Sequence, residues 1–294
     1  MRKKYTGTLT AIVTPFLENC EVDVEALRSH VQFQIKNGVH GLVPCGSTGE
    51  GGMLNSQEYI LVVQTAVEEA AGKIPVIAGA SAESTMGAIE HSKHAKEAGA
   101  DAVLHATPYY RPNLKGLIAH YKAIADAVDM PIILYNIPGR TGINFTAEMS
   151  LEIARKVDHV VGIKEASGNI NQIIDIINGA PEHFSVLAGD DSITYPVMAL
   201  GGQGVICTVS NEIPKEFSTL TEAALDGNLE KAKKIHYEWL DLMRVNFIEP
   251  NPQPVKTALA LMGRIKEVFR LPMVPMDSKN KEALKAVLKK HRLI

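Results

Sequence analysis

The sequence lacks most features that would assign it to a class at once. It has three cysteines, Cys20, Cys45 and Cys207, an odd number with no pair at CxxC spacing. That argues against a disulfide framework or a cysteine zinc site, and fits a reducing compartment. No apolar run approaches the ~18 residues of a membrane span. The basic start Met1-Arg2-Lys3-Lys4 is not followed by the apolar core of a signal peptide, so a cytoplasmic location is expected, with no membrane partner. Net charge is −3 and the pI is near 6.4, leaving no basic surplus for nucleic acid. There is no block of like charge to form a tail. GxGxxG, Walker and HExxH motifs are all missing, and Cys45 stands where a nucleophile elbow needs its first glycine.

What is present is an alternation. Across 294 residues, short apolar runs recur: Thr8 to Val13, Gly41 to Pro44, Pro75 to Gly79, Asp101 to Thr107, Pro131 to Ile137, Val160 to Ala166, Phe184 to Ala188 and Gly204 to Val209. Between them lie amphipathic stretches of helical period: Val24 to Ile35, Ser56 to Ala71, Ser84 to Ala98, Leu114 to Ala127, Ala147 to Lys156 and Asn169 to Asn178. A short helix is expected after Asp191, and Pro214 to Leu225 follows the eighth run. Parallel strands need crossovers, and buried on both faces they read as apolar runs such as Pro131-Ile132-Ile133-Leu134-Tyr135. Eight strand-then-helix units predict an α/β fold closed into a (βα)8 TIM barrel. From about Asn228 only helical patterns remain. We therefore expect a barrel over residues 1–226 and a C-terminal helical appendage over 227–294.

In such a barrel the chemistry belongs at the C-terminal ends of the strands. The sixth run is Val160-Val161-Gly162-Ile163-Lys164-Glu165-Ala166. Strand alternation puts Gly162, Lys164 and Ala166 on one face and Val161, Ile163 and Glu165 on the other. The second face is mostly apolar and suits the helix layer, so Lys164 points into the barrel with small neighbours. Lysine is rarely buried without a reason. An amine in dry surroundings disfavours its charged form and becomes a nucleophile for a ketone. The imine that results draws electrons from the adjacent carbon and yields an enamine without metal or cofactor.

Other strand ends offer partners. Cys45-Gly46-Ser47-Thr48-Gly49-Glu50-Gly51 is a glycine-flanked turn whose backbone N–H groups suit one carboxylate. Thr107-Pro108-Tyr109-Tyr110 and Tyr135-Asn136-Ile137 supply phenols that can relay protons, and Arg140 supplies a planar fork for a carboxylate. Asp190-Asp191 reads as a helix cap, with Asp190 also a candidate to line the site. Asn251-Pro252-Gln253-Pro254-Val255-Lys256 reads as a turn into a helix. His91 and His94 share a helix face with only the distant His105 to join them, so no metal site is expected.

Taken in order, Gly46-Ser47-Thr48-Gly49-Glu50, Tyr135-Asn136-Ile137-Pro138, Gly162-Ile163-Lys164-Glu165-Ala166, Gly189-Asp190-Asp191 and Asn251 to Thr257 resemble the dihydrodipicolinate synthase / N-acetylneuraminate lyase family of class I aldolases. The resemblance spans essentially the whole chain. It implies a homotetramer, a dimer of dimers, with Lys164 as the imine lysine and Ser47 and Thr48 as binders of the pyruvate carboxylate. It also implies Gly189 and Ile206 as substrate-binding positions. Gly139-Arg140-Thr141-Gly142 resembles the synthase branch, whose arginine meets the carboxylate of L-aspartate 4-semialdehyde. There Tyr110 reaches across a dimer and forms a proton relay with Ser47 and Tyr135. Two departures stand out: Ser47 occupies a position that is usually Thr in synthases, and the stretch Tyr110-Arg111-Pro112-Asn113-Leu114 is one residue short. The alternatives are a lyase of the same family acting on a 2-keto acid, and a silent barrel that only binds.

Overall fold

The computed structural model describes residues 5–294; the basic start at residues 1–4 lies outside the described residues. In chain order the elements are β1 (Gly7–Thr10), α1 (Val24–Lys36), β2 (Gly41–Leu42), α2 (Ser56–Ala70), β3 (Ile77–Gly79), α3 (Thr85–Glu97), β4 (Ala102–Ala106), α4 (Leu114–Val128), β5 (Ile132–Asn136), α5 (Pro138–Thr141), α6 (Ala147–Lys156), β6 (Val160–Glu165), α7 (Ile170–Gly179), β7 (Ser185–Ala188), α8 (Thr194–Ala199), β8 (Gly204–Cys207), α9 (Pro214–Leu225), α10 (Leu229–Val245), α11 (Gln253–Leu261) and α12 (Ser278–Lys290). All eight strands are parallel, in the order β2-β1-β8-β7-β6-β5-β4-β3. A parallel bridge between Leu42 and Val76 joins the two ends, with Leu42 N–H donating to Pro75 at 3.0 Å. The sheet closes, and the expected TIM barrel is the observed fold.

Alternation along each strand sorts its side chains between two environments. Leu9, Val43, Ile77, Leu104, Ile133, Tyr135, Leu187 and Ile206 fill the barrel interior, with Tyr5 in the same cluster. Leu42, Ala78, Val103, Ile132, Leu134 and Ile163 face outward and pack under the helices. Val161 departs from the expected outward face and joins the interior cluster. The cause is a bulge: Ile132 pairs with Val160 but Ile133 pairs with Gly162, so Val161 is the extra residue and turns inward. Beyond it the phase is as expected, with Ile163 outward and Lys164 inward.

Helix ends follow their sequence signals. Asp23, Asn55, Ser84, Asn113, Thr146 and Asn228 each cap a helix through the side chain. Asn113 shows how the short loop after Tyr110 closes: Arg111 takes a positive φ of 53° and Asn113 then starts α4. Pro138 at the first position and Gly142 at the C-cap enclose α5, a single turn after the fifth strand.

The C-terminal region is helical but not continuously so. Residues 262–277, which contain Gly263, Pro272 and Pro275, run irregularly between α11 and α12. Arg270 fastens this stretch, donating to the Cys20 and Met53 carbonyls at 3.0 Å and pairing with Glu58 at 2.5 Å. The appendage shares buried cores with the barrel. Leu242, Met243, Ala258, Leu284 and Leu288 pack with Ile173, Val197, Val205 and Phe217, while Val255 and Leu259 pack with Val13. No described helix is long and apolar enough to cross a membrane.

Candidate active site

Tyr135 and Lys164 are direct neighbours across β5 and β6. Both point inward and are nearly buried, at 6% and 7% exposure. The Lys164 Nζ lies 4.4 Å from the centroid of the Tyr135 ring. The residues that hold this pair in place face the other way. Asn136 Nδ2 donates to Glu165 Oε2 at 2.8 Å, and Gln172 Nε2 donates to the same oxygen at 3.1 Å. The Ser167 N–H donates to Glu165 Oε1 at 2.6 Å. Asn136 Oδ1 accepts from Phe145 N–H at 2.8 Å. A carboxylate and two amides, all buried, are thus satisfied by one another, and they tie the ends of β5 and β6 together.

Lys164 opens into a cavity of about 430 Å³ whose wall includes Thr48, Tyr135, Arg140, Lys164, Gly189, Thr208 and Asn251. A second cavity of about 280 Å³ adjoins it, lined by Ser47, Tyr59, Glu83, Tyr109, Tyr135 and Arg140 among others. Tyr135 and Arg140 border both. The expected residues Lys164, Tyr135, Thr48, Arg140 and Gly189 therefore converge, and Ser47 lines the adjoining cavity, which Tyr135 also borders. Gly189 is required by close approach: a Cβ there would lie 2.6 Å from the Ala166 methyl and 3.0 Å from the Glu165 carbonyl. Ile206 is fully buried in the barrel interior and lines neither cavity. Tyr110 is 73% exposed, stacks on Tyr109 with ring centroids 4.6 Å apart, and lines neither cavity of its own chain.

The turn from Cys45 to Gly51 is shaped by close packing. Cys45 and Glu50 both adopt left-handed backbone angles, with φ of 56° and 55°, and a Cβ on Gly51 would run into the Cys45 carbonyl. Such backbone angles in residues other than glycine are uncommon and cluster at functional loops. Among the described residues neither the Ser47 nor the Thr48 N–H has a protein acceptor, which leaves two donors for an anion. The turn is pinned from behind, where Glu50 Oε1 and Lys256 Nζ form a fully buried ion pair at 2.5 Å. Burial raises the Glu50 carboxyl above its ordinary range, opposed by Lys256, and burial lowers the Lys256 amine. Among the described residues two lysines are buried, and they differ in partners. Lys256 is matched to a carboxylate, whereas Lys164 has no ion pair or hydrogen bond among the described residues.

Several site residues went unrecognised in the sequence. Asp190 accepts from the Ser192 N–H at 2.8 Å, as a cap, and does not line the cavities. Its neighbour Asp191 is the buried one. Asp191 accepts from the Thr208 N–H at 3.0 Å and the Val209 N–H at 2.7 Å, tying the start of α8 to the end of β8. Burial pushes its carboxyl up to about 7 despite these bonds. Thr208 and Asn251 belong to the cavity wall, Asn251 donating through Nδ2 to Thr48 Oγ1 at 2.9 Å. Glu165 carried the one usable signal, a charge on an otherwise apolar outer face.

A profile of the Dihydrodipicolinate synthetase family matches residues 4–291. The 4-hydroxy-tetrahydrodipicolinate synthase of Geobacter metallireducens is 48% identical over 293 residues, covering 99% of this chain and all of that one. The protein of the same name from Chloroherpeton thalassium is 47% identical over 288 residues, covering 98% and 95%. Among solved structures, the dihydrodipicolinate synthase of Thermotoga maritima superposes with a TM-score of 0.97 at 42% identity, covering 99% of this chain and 100% of that one. The Aquifex aeolicus dihydrodipicolinate synthase gives 0.95 at 43% identity, covering 98% and 99%. With the lysine, the tyrosine and the turn from Cys45 to Gly51 brought to one rim of a closed barrel, and with relatives of this likeness along its full length, the chain belongs to the dihydrodipicolinate synthetase family.

Proposed function

We propose that this chain is a Schiff-base aldolase that condenses pyruvate with L-aspartate 4-semialdehyde to 4-hydroxy-tetrahydrodipicolinate in the cytoplasm, with Lys164 as the amine that captures pyruvate. The observation that carries the reading is the contrast between Lys164 and Lys256, both buried. Lys256 is neutralised by Glu50, while Lys164 sits unpaired against the Tyr135 ring in the wall of the larger cavity. Pyruvate enters with its carboxylate on the free N–H groups and hydroxyls of Ser47 and Thr48. The Lys164 amine adds to the ketone, water leaves, and an imine forms. Loss of a methyl proton gives the enamine, which attacks the aldehyde carbon. The amine of the second substrate then closes on the imine carbon and releases Lys164. The imine is the electron sink, so the reaction needs no metal or other cofactor. Tyr135, beside Lys164, takes and returns protons; Ser47 and Tyr110 link it to solvent. Arg140, on the border of both cavities, receives the carboxylate of the aldehyde.

Tyr110 requires a second chain in this scheme. Its exposure and its stack on the half-exposed Tyr109 support a covered face between two copies, with a homotetramer as the full assembly. Borohydride reduction in the presence of pyruvate tests the central step. It should inactivate the protein and leave one reduced adduct, on Lys164, by peptide mass mapping. An adduct on Lys256 or elsewhere, or none, refutes the assignment. A coupled reductase assay with the semialdehyde then fixes the acceptor. Cleavage of a 2-keto acid without turnover of the semialdehyde moves the chain to a lyase role, and no turnover of any aldehyde leaves only a binding barrel.

A further inference from the structure

Asn251 precedes α11 and belongs to the appendage, yet it touches both residues that await a carboxylate. Its side-chain Nδ2 donates to Thr48 Oγ1 at 2.9 Å, and its main-chain carbonyl accepts from Arg140 Nη2 at 2.8 Å. Thr48, Arg140, Asn251 and Lys164 line one cavity. Behind this contact the Lys256–Glu50 ion pair fastens the same two segments, two residues beyond Thr48 on one side and five beyond Asn251 on the other.

A hydroxyl has one proton and two lone pairs. With Asn251 Nδ2 on one lone pair, the Thr48 proton is left for an acceptor in the cavity. Thr208 Oγ1, at 3.4 Å, is too distant to compete strongly with an anion. The opposite amide orientation would take that proton for Asn251 Oδ1 and leave pyruvate nothing from the hydroxyl. On the other substrate's side, one of the five guanidinium N–H bonds of Arg140 is spent on the Asn251 carbonyl, which holds the fork while four donors remain.

Building on the reaction proposed above, we infer that Asn251 is the positioning residue that sets the two carboxylate sites relative to each other. Its amide orients the Thr48 hydroxyl for pyruvate, and its carbonyl holds Arg140 for the aldehyde. The two halves are separable, because alanine removes the amide and keeps the carbonyl. In Asn251→Ala, the pyruvate concentration giving half-maximal borohydride trapping on Lys164 should rise about tenfold, the loss expected for one misdirected charge-assisted hydrogen bond. The aldehyde KM should stay close to wild type. Thr48→Val should raise the same half-saturation, and adding Asn251→Ala to it should change nothing further, because the partner is gone. Asn251→Asp keeps the shape, removes the donor and places a second negative charge beside the site, and should weaken trapping at least as much as alanine. If wild type traps no pyruvate on Lys164, the reaction itself is wrong and the inference falls with it. If wild type traps and Asn251→Ala has the same half-saturation, the inference alone is overturned. It is overturned too if the Thr48→Val and Asn251→Ala effects add, or if the aldehyde KM rises as far as that for pyruvate.

Discussion

Replacing Lys256 by methionine would expose what the buried ion pair does. The side chain has no solvent contact, and its amine lies 2.5 Å from Glu50 Oε1, 4.3 Å from the Phe16 ring centroid and 5.1 Å from that of Phe269. Methionine fills similar space without charge, so the loss is electrostatic rather than a cavity. Glu50 stays behind, its Oε1 deprived of a partner and its Oε2 already without one. Breaking one side of a buried pair costs about 3–5 kcal/mol. The Arg270 guanidinium also favours the charged form of Glu50, which places the expected loss near the lower end. Removing both charges, with Glu50→Gln added, should recover most of the loss, since no bare carboxylate remains.

The pH dependence follows from the sign of the shift. Burial raises the folded-state value of Glu50 above the ordinary 4.5, and the variant lacks the lysine that opposes this rise. A carboxyl with a raised folded value contributes stability that is present below its unfolded value and lost as pH climbs through the folded value. The deficit of Lys256→Met against wild type should therefore be small near pH 4.5 and larger at pH 8. Urea unfolding at a fixed protein concentration, at both pH values and with all four members of the cycle, reads these differences. A deficit under about 1 kcal/mol at pH 8, below the range for a severed buried pair, would refute the reasoning. So would a deficit that shrinks as pH rises. Pyruvate trapping on Lys164 should survive in the folded variant; its loss would mean that Lys256 belongs to the chemistry.

Two more expectations concern the site itself. Arg140→Ala should lower kcat/KM for the aldehyde by about 2–4 kcal/mol, roughly 30- to 900-fold, while pyruvate trapping persists; an equal fall for pyruvate would place the arginine wrongly. Lys164→Ala and Tyr110→Phe chains, each impaired alone, should regain about a quarter of wild-type sites when unfolded and refolded together, because each mixed dimer holds one complete site. No gain over Tyr110→Phe alone would confine Tyr110 to its own chain or remove it from the mechanism.

Much of this protein was decided locally. The eight apolar runs, the helices that separate them and the capping residues are properties of short segments, governed by period and by backbone hydrogen bonding. The closed parallel barrel follows from their count, and its rim follows from strand direction. Lys164, Tyr135, Thr48 and Arg140 were legible because each is an unusual residue type at a strand end or in the turn just beyond it. Alternation carried Lys164 to the correct face even though it failed for Val161, where a bulge against β5 shifted the phase. A bulge depends on the partner strand, so no reading of β6 alone contains it.

The remaining features needed the tertiary structure, for one physical reason: they are pairings between distant segments. Glu50 finds Lys256 across 206 positions, and Asn251 finds Thr48 across 203. Neither partner is distinctive by itself, and a buried charge or amide is defined by what surrounds it. Asp191 looked like a cap beside Asp190; only its burial and its bonds to Thr208 and Val209 separate the two. The local sequence thus determined which elements form and which residues stand at the rim, because hydrogen-bond period and strand direction act over a few residues. Tertiary packing decided that Lys256 meets a carboxylate in a direct ion pair and Lys164 does not, because desolvation and charge pairing depend on the whole enclosure.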